Sequence, residues 1–437
     1  MRMKLPVFSA AVFSGAMGLA LFLCCLDRGQ SGVAPEAPLA LVGGAIYTSP
    51  TDDPIRDGVI LVRDGRIAAV GPRGSVQISP DMETLNCSGL TITAGFWNSH
   101  VHFMERKWAN AAKIPAAELA AQLETMLTQY GVTSVFDIGS AWENTRIIRG
   151  RIESGEVPGP RIRSTGEILM PKGAVSSPEL KDALGFMRSN YPEIADATDA
   201  LAAAKKVLDA GADGVKMYAA AWFPPYTALP EDAIRAVVDE AHRRGKPVFA
   251  HPTRLDGLLA AVRGGVDVLA HTTPQSGPWD ESVLATMKER QVALIPTLKL
   301  WKYELRHDRP SDLDRFIKTS VGQLRAWAAS GGAVLFGTDL GYMNDYDPTD
   351  EYDLMAQAGM TFRQILASVT LAPAERFGES KKLGRIATGL AADLVVLNQD
   401  PSQNIGAFGD VRYTLRDGKV IYRQSRAGGL RTATAGL

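Results

Sequence analysis

From about residue 93 to 375 the chain alternates short apolar runs with longer stretches of one-sided apolar spacing. Eight runs read as strands: 94–102, 133–139, 161–169, 213–218, 247–251, 266–271, 293–298 and 333–339. Helical patterns lie between them. One carries Leu119, Leu123, Met126, Leu127 and Tyr130 on a single face, the spacing of an amphipathic helix. Strands that alternate with helices over about 280 residues predict a (β/α)8 TIM barrel.

The segment from Leu39 to Leu90 reads as β throughout, with Asp64-Gly65 joining VILVR to RIAAV as a hairpin turn. A counterpart lies near the far end. There ADLVVL (Ala392 to Leu397) reads as a buried strand, and Asp417-Gly418 joins VRYTLR to KVIYR. The expected organisation is a composite β-sandwich domain from residues 39–92 and 376–423, flanking the barrel over 93–375. Residues 32–38 read as a linker and 424–437 as a disordered tail, rich in Gly, Ala, Thr and Arg.

Composition changes this picture little. Apolar residues make up 46 % of the chain and charged residues 22 %, enough for a large core. A formal charge of −1 with no basic stripe argues against nucleic acid as a partner. The expected partner is a small-molecule substrate, with a homo-oligomer left open. The N-terminus adds an address. Arg2 and Lys4 precede an uncharged run from Leu5 to Leu26, closed by Asp27 and Arg28. A basic start and an apolar run read as an export signal, and this run is also long enough to span a bilayer. A signal peptide over residues 1–31 and a retained membrane anchor with its basic end inside both fit. Cys24 and Cys25 would suit lipidation, but Leu23 and Cys24 stand where lipoprotein signals carry a small residue. The protein is expected outside the cytoplasm, periplasmic or secreted. Without the segment only Cys87 remains, which excludes an intrachain disulfide.

The candidate chemistry sits at strand ends. His100 and His102 form an H-x-H pair, and a strand sends residues i and i+2 to one face. His251 and His271 each end an apolar run, Lys216 lies within another, and Asp339 closes GTD. Each histidine taken singly also fits a buried structural role; the convergence on C-terminal strand ends, where such barrels keep their chemistry, favours a metal site. Imidazole and carboxylate together suit zinc and its neighbours. Lys216 lies in a strand expected to be buried on both faces, where an ammonium is costly. A neutral lysine amine adds carbon dioxide to form a carbamate, whose two oxygens can bridge two metals. Asp339 reads as a proton shuttle or, alternatively, a turn residue. Tyr218, on the face of Lys216, reads either as a hydrogen-bond donor to substrate or as packing. Arg254 and Lys299 read as binders of a substrate carboxylate or as solvated loop charge. Phe103, Met104, Trp108, Tyr342 and Tyr346 are candidates for an aromatic mouth, while His242 and His307 read as surface residues.

The ordered series H-x-H, Lys, His, His, Asp resembles the metal-dependent amidohydrolase superfamily, in its binuclear carbamylated-lysine branch near prolidase-like and imidazolonepropionase-like members. The likeness runs from about Leu39 to Arg423 and includes GLAADLVVL and the DGKV hairpin. It implies that His100, His102 and Asp339 hold one divalent metal, His251 and His271 a second, and carbamylated Lys216 bridges both, zinc being the expected metal. One position departs: the family usually has Asp two residues before the first histidine, and here Asn98 stands there. The expected reaction is hydrolysis of an amide-type C–N bond by a metal-bridging hydroxide, on a dipeptide, an N-acyl amino acid or a cyclic amide, with Asp339 passing the proton to the leaving amine. A lactonase or phosphotriesterase would use the same two metals. A mononuclear deaminase would need no bridging lysine, and a non-catalytic barrel would not need the full ligand set.

Overall fold

The computed structural model describes residues 37–174, 191–221 and 228–425. The signal or anchor segment therefore lies outside the described residues, as does most of the expected linker and tail. Among the described residues no helix is long and apolar enough to cross a membrane.

The fold is mixed α/β, with one large sheet drawn from both ends of the described chain and two parallel sheets between. The large sheet contains β1 (Leu39–Ile46), β2 (Ile55–Arg63), β3 (Arg66–Pro72), β4 (Glu83–Asn86) and β5 (Thr91–Ala94). From the far end come β16 (Leu394–Leu397), β17 (Val411–Arg416) and β18 (Lys419–Arg423). The strand order is β18-β17-β16-β5-β1-β2-β3, with β4 pairing β1 off this path. The two chain ends meet where β16 runs antiparallel to β5, Leu394 opposite Ala94 and Leu397 opposite Thr91. Both expected hairpins form, and the turn chemistry explains why. Asp64 and Gly65 have φ of 49° and 71°, Asp417 and Gly418 47° and 79°, left-handed at both central positions as a type I′ turn requires.

The first parallel sheet holds β6 (Phe96–Val101), β7 (Val132–Asp137) and β8 (Arg161–Ser164). A short parallel pair follows, β9 (Met170–Pro171) with β10 (Glu193–Ile194). The second parallel sheet runs β11 (Val215–Tyr218), β12 (Val248–His251), β13 (Val268–Ala270), β14 (Ala293–Ile295) and β15 (Ala333–Val334). Beyond the regular strands, isolated backbone hydrogen bonds link the segment after β8 to β11 and the segment after β15 to β6. At one edge the Leu169 amide donates to Lys216 O and the Tyr218 amide to Leu169 O, both at 2.9 Å. At the other, the Ser99 amide donates to Phe336 O at 2.8 Å and the Asp339 amide to His100 O at 2.9 Å.

All eight expected runs contain a parallel strand, most of them shorter than the run and two of them interrupted. The run 161–169 stops as a strand at Ser164 because Gly166 turns left-handed at φ 64°, and pairing resumes at Leu169. The run 333–339 is a regular strand only at its start, after which isolated bonds carry it to Asp339. The expected amphipathic helix is Ala116–Met126, burying Leu119, Leu123 and Met126; Tyr130 ends a separate turn before Gly131 at φ 81°.

Strand alternation divides the buried residues between two cores. Met217, Ala250, Leu269 and Leu294 pack outward against helices. Trp97, Phe136, Phe249, Val268, Ala270 and Ile295 pack inward, where Phe136 lies 4.7 Å from Phe249 and 4.9 Å from Phe377. This aromatic layer forms a rigid floor, and Lys216, Tyr218 and His251 continue the inward alternation beyond it.

Candidate metal centre

Four histidines, Asp339 and Lys216 are all buried together above that floor. His100 and His102 come from the end of β6, where a register shift between Asn98 and Val101 accompanies the change of face. Their Nε2 atoms lie 3.2 Å apart. Asp339 Oδ1 sits 3.2 Å from His100 Nε2 and 2.9 Å from His102 Nε2. The other oxygen, Oδ2, faces His271 Nε2 at 3.8 Å. The ring of His271 lies 4.8 Å from His100 and 4.6 Å from His251 by centroids. The carboxylate thus stands between the H-x-H pair and the second pair of histidines.

Alternation alone would not have brought His271 inward. Ala270 already faces the interior, so the next residue should point away. His271 takes φ 96°, which breaks the alternation. Asp339 (φ 59°) and Thr297 (φ 43°) are also left-handed. Non-glycine residues held in this region cost about 1–3 kcal/mol each and persist where the surroundings over-determine them. Asp339 itself, His271 facing it and Thr297 behind His271 mark the place where the fold gives up backbone comfort for geometry.

The imidazoles are oriented from behind. His102 Nδ1 lies 3.1 Å from Gly139 O, and His271 Nδ1 lies 2.6 Å from Thr297 Oγ1. A carbonyl accepts only, so His102 carries its proton on Nδ1 and presents a bare Nε2 to the centre. Asp137, at the end of β7, supports that carbonyl. It accepts hydrogen bonds from the hydroxyls of Ser140 (2.6 Å), Ser164 (2.8 Å) and Thr145 (3.1 Å) and from the Gly139 amide (3.3 Å). Sequence reasoning passed over Asp137, although its place at a strand end is the same signal that singled out Asp339.

The electrostatics suit a metal. Burial holds the His100 imidazolium down to about 3, helped by the charges of Lys216 and His102 against the pull of Asp339. Burial likewise depresses His251 and His271 well below the ordinary histidine value. Burial opposes ionisation of Asp339, but His100 and His102 together hold it well below the usual carboxylate range. Burial brings the Lys216 ammonium down to about 7, with Asp339 the opposing influence. The result is neutral imidazoles at His100, His251 and His271, an ionised carboxylate and a lysine that readily presents a free amine. Within this set His100, His102 and Asp339 offer ligand atoms all within 4.8 Å of one another. Asp339 Oδ1 is buried yet accepts no hydrogen bond, and His100 Nδ1 also lacks a partner. An orphaned carboxylate oxygen beside two imidazole nitrogens is the arrangement a cation would complete.

Asn98 is buried and acts as a brace, donating to Thr338 Oγ1 at 2.7 Å and accepting the His100 amide at 3.2 Å. The Tyr218 ring stacks on His251 at 4.1 Å and 11°. Arg254 lines a cavity of about 430 Å³ together with His251, Thr253, Gln275, Trp301 and Glu304.

Lys299 has a different place from the expected one. It is buried, with its ammonium 2.9 Å from Asp345 Oδ2 and bonded to the carbonyls of Asp345 and Asp347. Three oxygens already satisfy it, so it tethers the 345–347 loop instead of meeting a substrate carboxylate. Of the expected mouth residues, Phe103 and Trp108 form a buried edge-to-face pair at 5.1 Å. Tyr346 donates to Glu105 Oε1 at 2.5 Å and meets Lys107, joining the loops after β6 and β15. Met104 packs with Tyr218 in a small cluster against which Tyr342 rests. His242 is exposed and 2.8 Å from Asp267.

Comparison with known proteins adds an independent line. A family model described as "Amidohydrolase family" matches residues 91–421. Ochratoxinase of Aspergillus niger is 24 % identical over 431 residues, covering 88 % of this chain and 87 % of that protein. Among solved structures, a Xaa-Pro dipeptidase with bound methionine in its active site superposes with a TM-score of 0.76 at 21 % identity, covering 89 % of this chain and all of the other. A putative prolidase from Bifidobacterium longum gives 0.73 at 24 %, covering 89 % and 95 %.

Proposed function

The chain belongs to the amidohydrolase family, and from that premise we propose that it is a metal-dependent hydrolase of amide-type C–N bonds, acting on a dipeptide, an N-acyl amino acid or a cyclic amide. The observation that carries this is the buried triad His100–His102–Asp339, whose carboxylate oxygen Oδ1 has no hydrogen-bond partner. We read the two parallel sheets, linked by isolated hydrogen bonds at both edges, as a (β/α)8 barrel over residues 93–375, and the sheet from both chain ends as an accessory β-sandwich. Export before action at the substrate belongs to the same reading, from the N-terminal run.

The donor set fits two divalent cations, zinc by ligand chemistry. His100, His102 and Asp339 would hold one, His251 and His271 the other, and Lys216 as its carbamate would bridge them. Carbamate formation balances: the neutral amine adds to carbon dioxide and releases one proton, which suits an ammonium lowered to about 7. When bound, such cations polarise a carbonyl and lower the pKa of water. The chain's own residues do the rest. Asp339, ionised between the two histidine pairs, would take a proton and return it to the departing amine nitrogen. Tyr218 is kept as the neutral phenol by burial and by the charges of Asp339 and Glu304, so it can donate to a developing oxyanion. Arg254 at the cavity rim is the remaining candidate for a substrate carboxylate.

The test is metal content and turnover together. The zinc-loaded protein is expected to hold two metals per chain and to cleave members of a panel of dipeptides and N-acyl amino acids. Lys216→Ala should lose metal and activity in parallel. A single metal unaffected by that change would remove the bridge, and activity confined to lactones or phosphotriesters would remove the C–N assignment.

A further inference from the structure

The cavity beside His251 contains a carboxylate that the chemistry at the metal ligands does not use. Thr297, whose hydroxyl holds His271, precedes the short helix Leu298–Glu304. That helix places Trp301 and Glu304 in the cavity wall, with Phe316 alongside. Glu304 is half-buried, whereas Asp308, the other acid on the wall, is exposed. Tyr342, three residues beyond Asp339, donates to Glu304 Oε1 at 2.7 Å. Among the described residues Oε2 makes no hydrogen bond. Burial raises the Glu304 carboxyl and the Asp339 charge adds to that, outweighing the Tyr342 hydrogen bond and the charge of the exposed Arg306. A carboxylate half removed from water beside an indole costs free energy unless a cation meets it.

We propose that Glu304 recognises the protonated amino group of the substrate, so that the enzyme selects amides whose acyl part carries a free amine, with an apolar side chain against Trp301 and Phe316. This rests on the amide-hydrolase reading and narrows it: peptides and aminoacyl amides are substrates, and N-acylated amino acids are poor ones. Arg254 stands on the same wall with Asp256 3.8 Å from its Nε, leaving Glu304 as the half-buried anion of the cavity.

The experiment compares matched pairs on the metal-loaded full-length protein: L-phenylalanyl amides of a set of amino acids against their N-acetyl counterparts. The wild type should favour the free amine in kcat/KM by about tenfold or more, the size of one charge-assisted contact in a partly buried site. The preference should sit mainly in KM and collapse in Glu304→Gln. It should also persist in Tyr342→Phe, which removes the donor to Oε1 and keeps the ring. A second reading needs no variant. As pH passes the amine's own titration near about 8, the wild-type preference should fade while the acetylated series shows no matching change. If both series are cleaved equally, or Glu304→Gln keeps the preference, Glu304 is not the reader and the hydrolase assignment stands. If neither series is cleaved while other amides are, the peptide specificity fails. If no amide is cleaved at all, the amide-hydrolase reading fails and the subsite with it.

Discussion

Asn98 donates its side-chain amide to the Thr338 hydroxyl at 2.7 Å, fastening the strand that carries His100 to the residue just before Asp339. Its carbonyl oxygen simultaneously receives the His100 amide. A carboxylate at this position could accept but not donate. Thr338→Val should leave the Asn98 amide buried and unpaired, lowering stability by about 1–3 kcal/mol and weakening metal affinity. Asn98→Asp should be milder, because the threonine hydroxyl can reverse and donate to the new carboxylate. Denaturant unfolding and chelator competition measure both, and equal effects of the two changes would refute the brace.

Asp339→Asn should cut kcat/KM by about 10²–10⁴ through loss of the proton carrier. His102→Ala should in addition release metal, because its Nε2 is one of three converging ligand atoms. Elemental analysis beside kinetics separates the two outcomes; full metal retention in His102→Ala would contradict the triad.

Lys216 gives the metal-free protein a pH signature. An unfolded lysine keeps its proton up to about 10.4, whereas folded Lys216 holds it only up to about 7. Between these values the unfolded chain binds the extra proton, so stability rises with pH across the window. Below about 7 the cost of burying the ammonium is fully present. Lys216→Met should abolish this slope, as urea midpoints at several pH values would show. A slope unchanged by the substitution would assign it to another group.

Gly341 lies where a side chain has no room. A Cβ there would stand 1.8 Å from the His102 carbonyl oxygen, and φ is 91°. The His102 amide also bonds Leu340 O at 2.6 Å, so the two segments cannot separate without dragging a ligand. Gly341→Ala should cost about 4 kcal/mol or more, or prevent soluble expression. Gly359→Ala is the control, because φ is similar at 87° but no atom lies within 4 Å of the new Cβ.

Tyr218→Phe preserves the ring stacked on His251 and removes only the hydroxyl. If that hydroxyl stabilises the oxyanion, kcat should fall about 10²-fold with metal content unchanged. A change within about twofold would leave the ring as packing alone.

Much of the site was legible because strand chemistry is local. His100 and His102 are two apart, His251 and Asp339 stand at the ends of apolar runs and Lys216 lies within another, so periodicity and position sufficed to group them. Lys299 looked like these residues in sequence. Its fate depended on a loop some 46 residues away, whose carboxylate and carbonyls capture the ammonium. Asp137 carried the same strand-end signal and was passed over; what singles it out is the set of hydroxyls from Ser140, Thr145 and the more distant Ser164 that converge on its carboxylate only in the folded chain.

The sequence by itself determined the alternation of strands and helices, the two Asp-Gly hairpins and the identity of the candidate ligands, since each follows from side-chain period or backbone preference over a few residues. Tertiary structure alone decided that His271 turns inward against its strand's alternation and that Asp339 stands between two histidine pairs. Left-handed backbone at a histidine or an aspartate costs free energy locally. It is held only by distant hydrogen bonds, such as Asp339 N to His100 O and His271 Nδ1 to Thr297, which form once the strands are assembled.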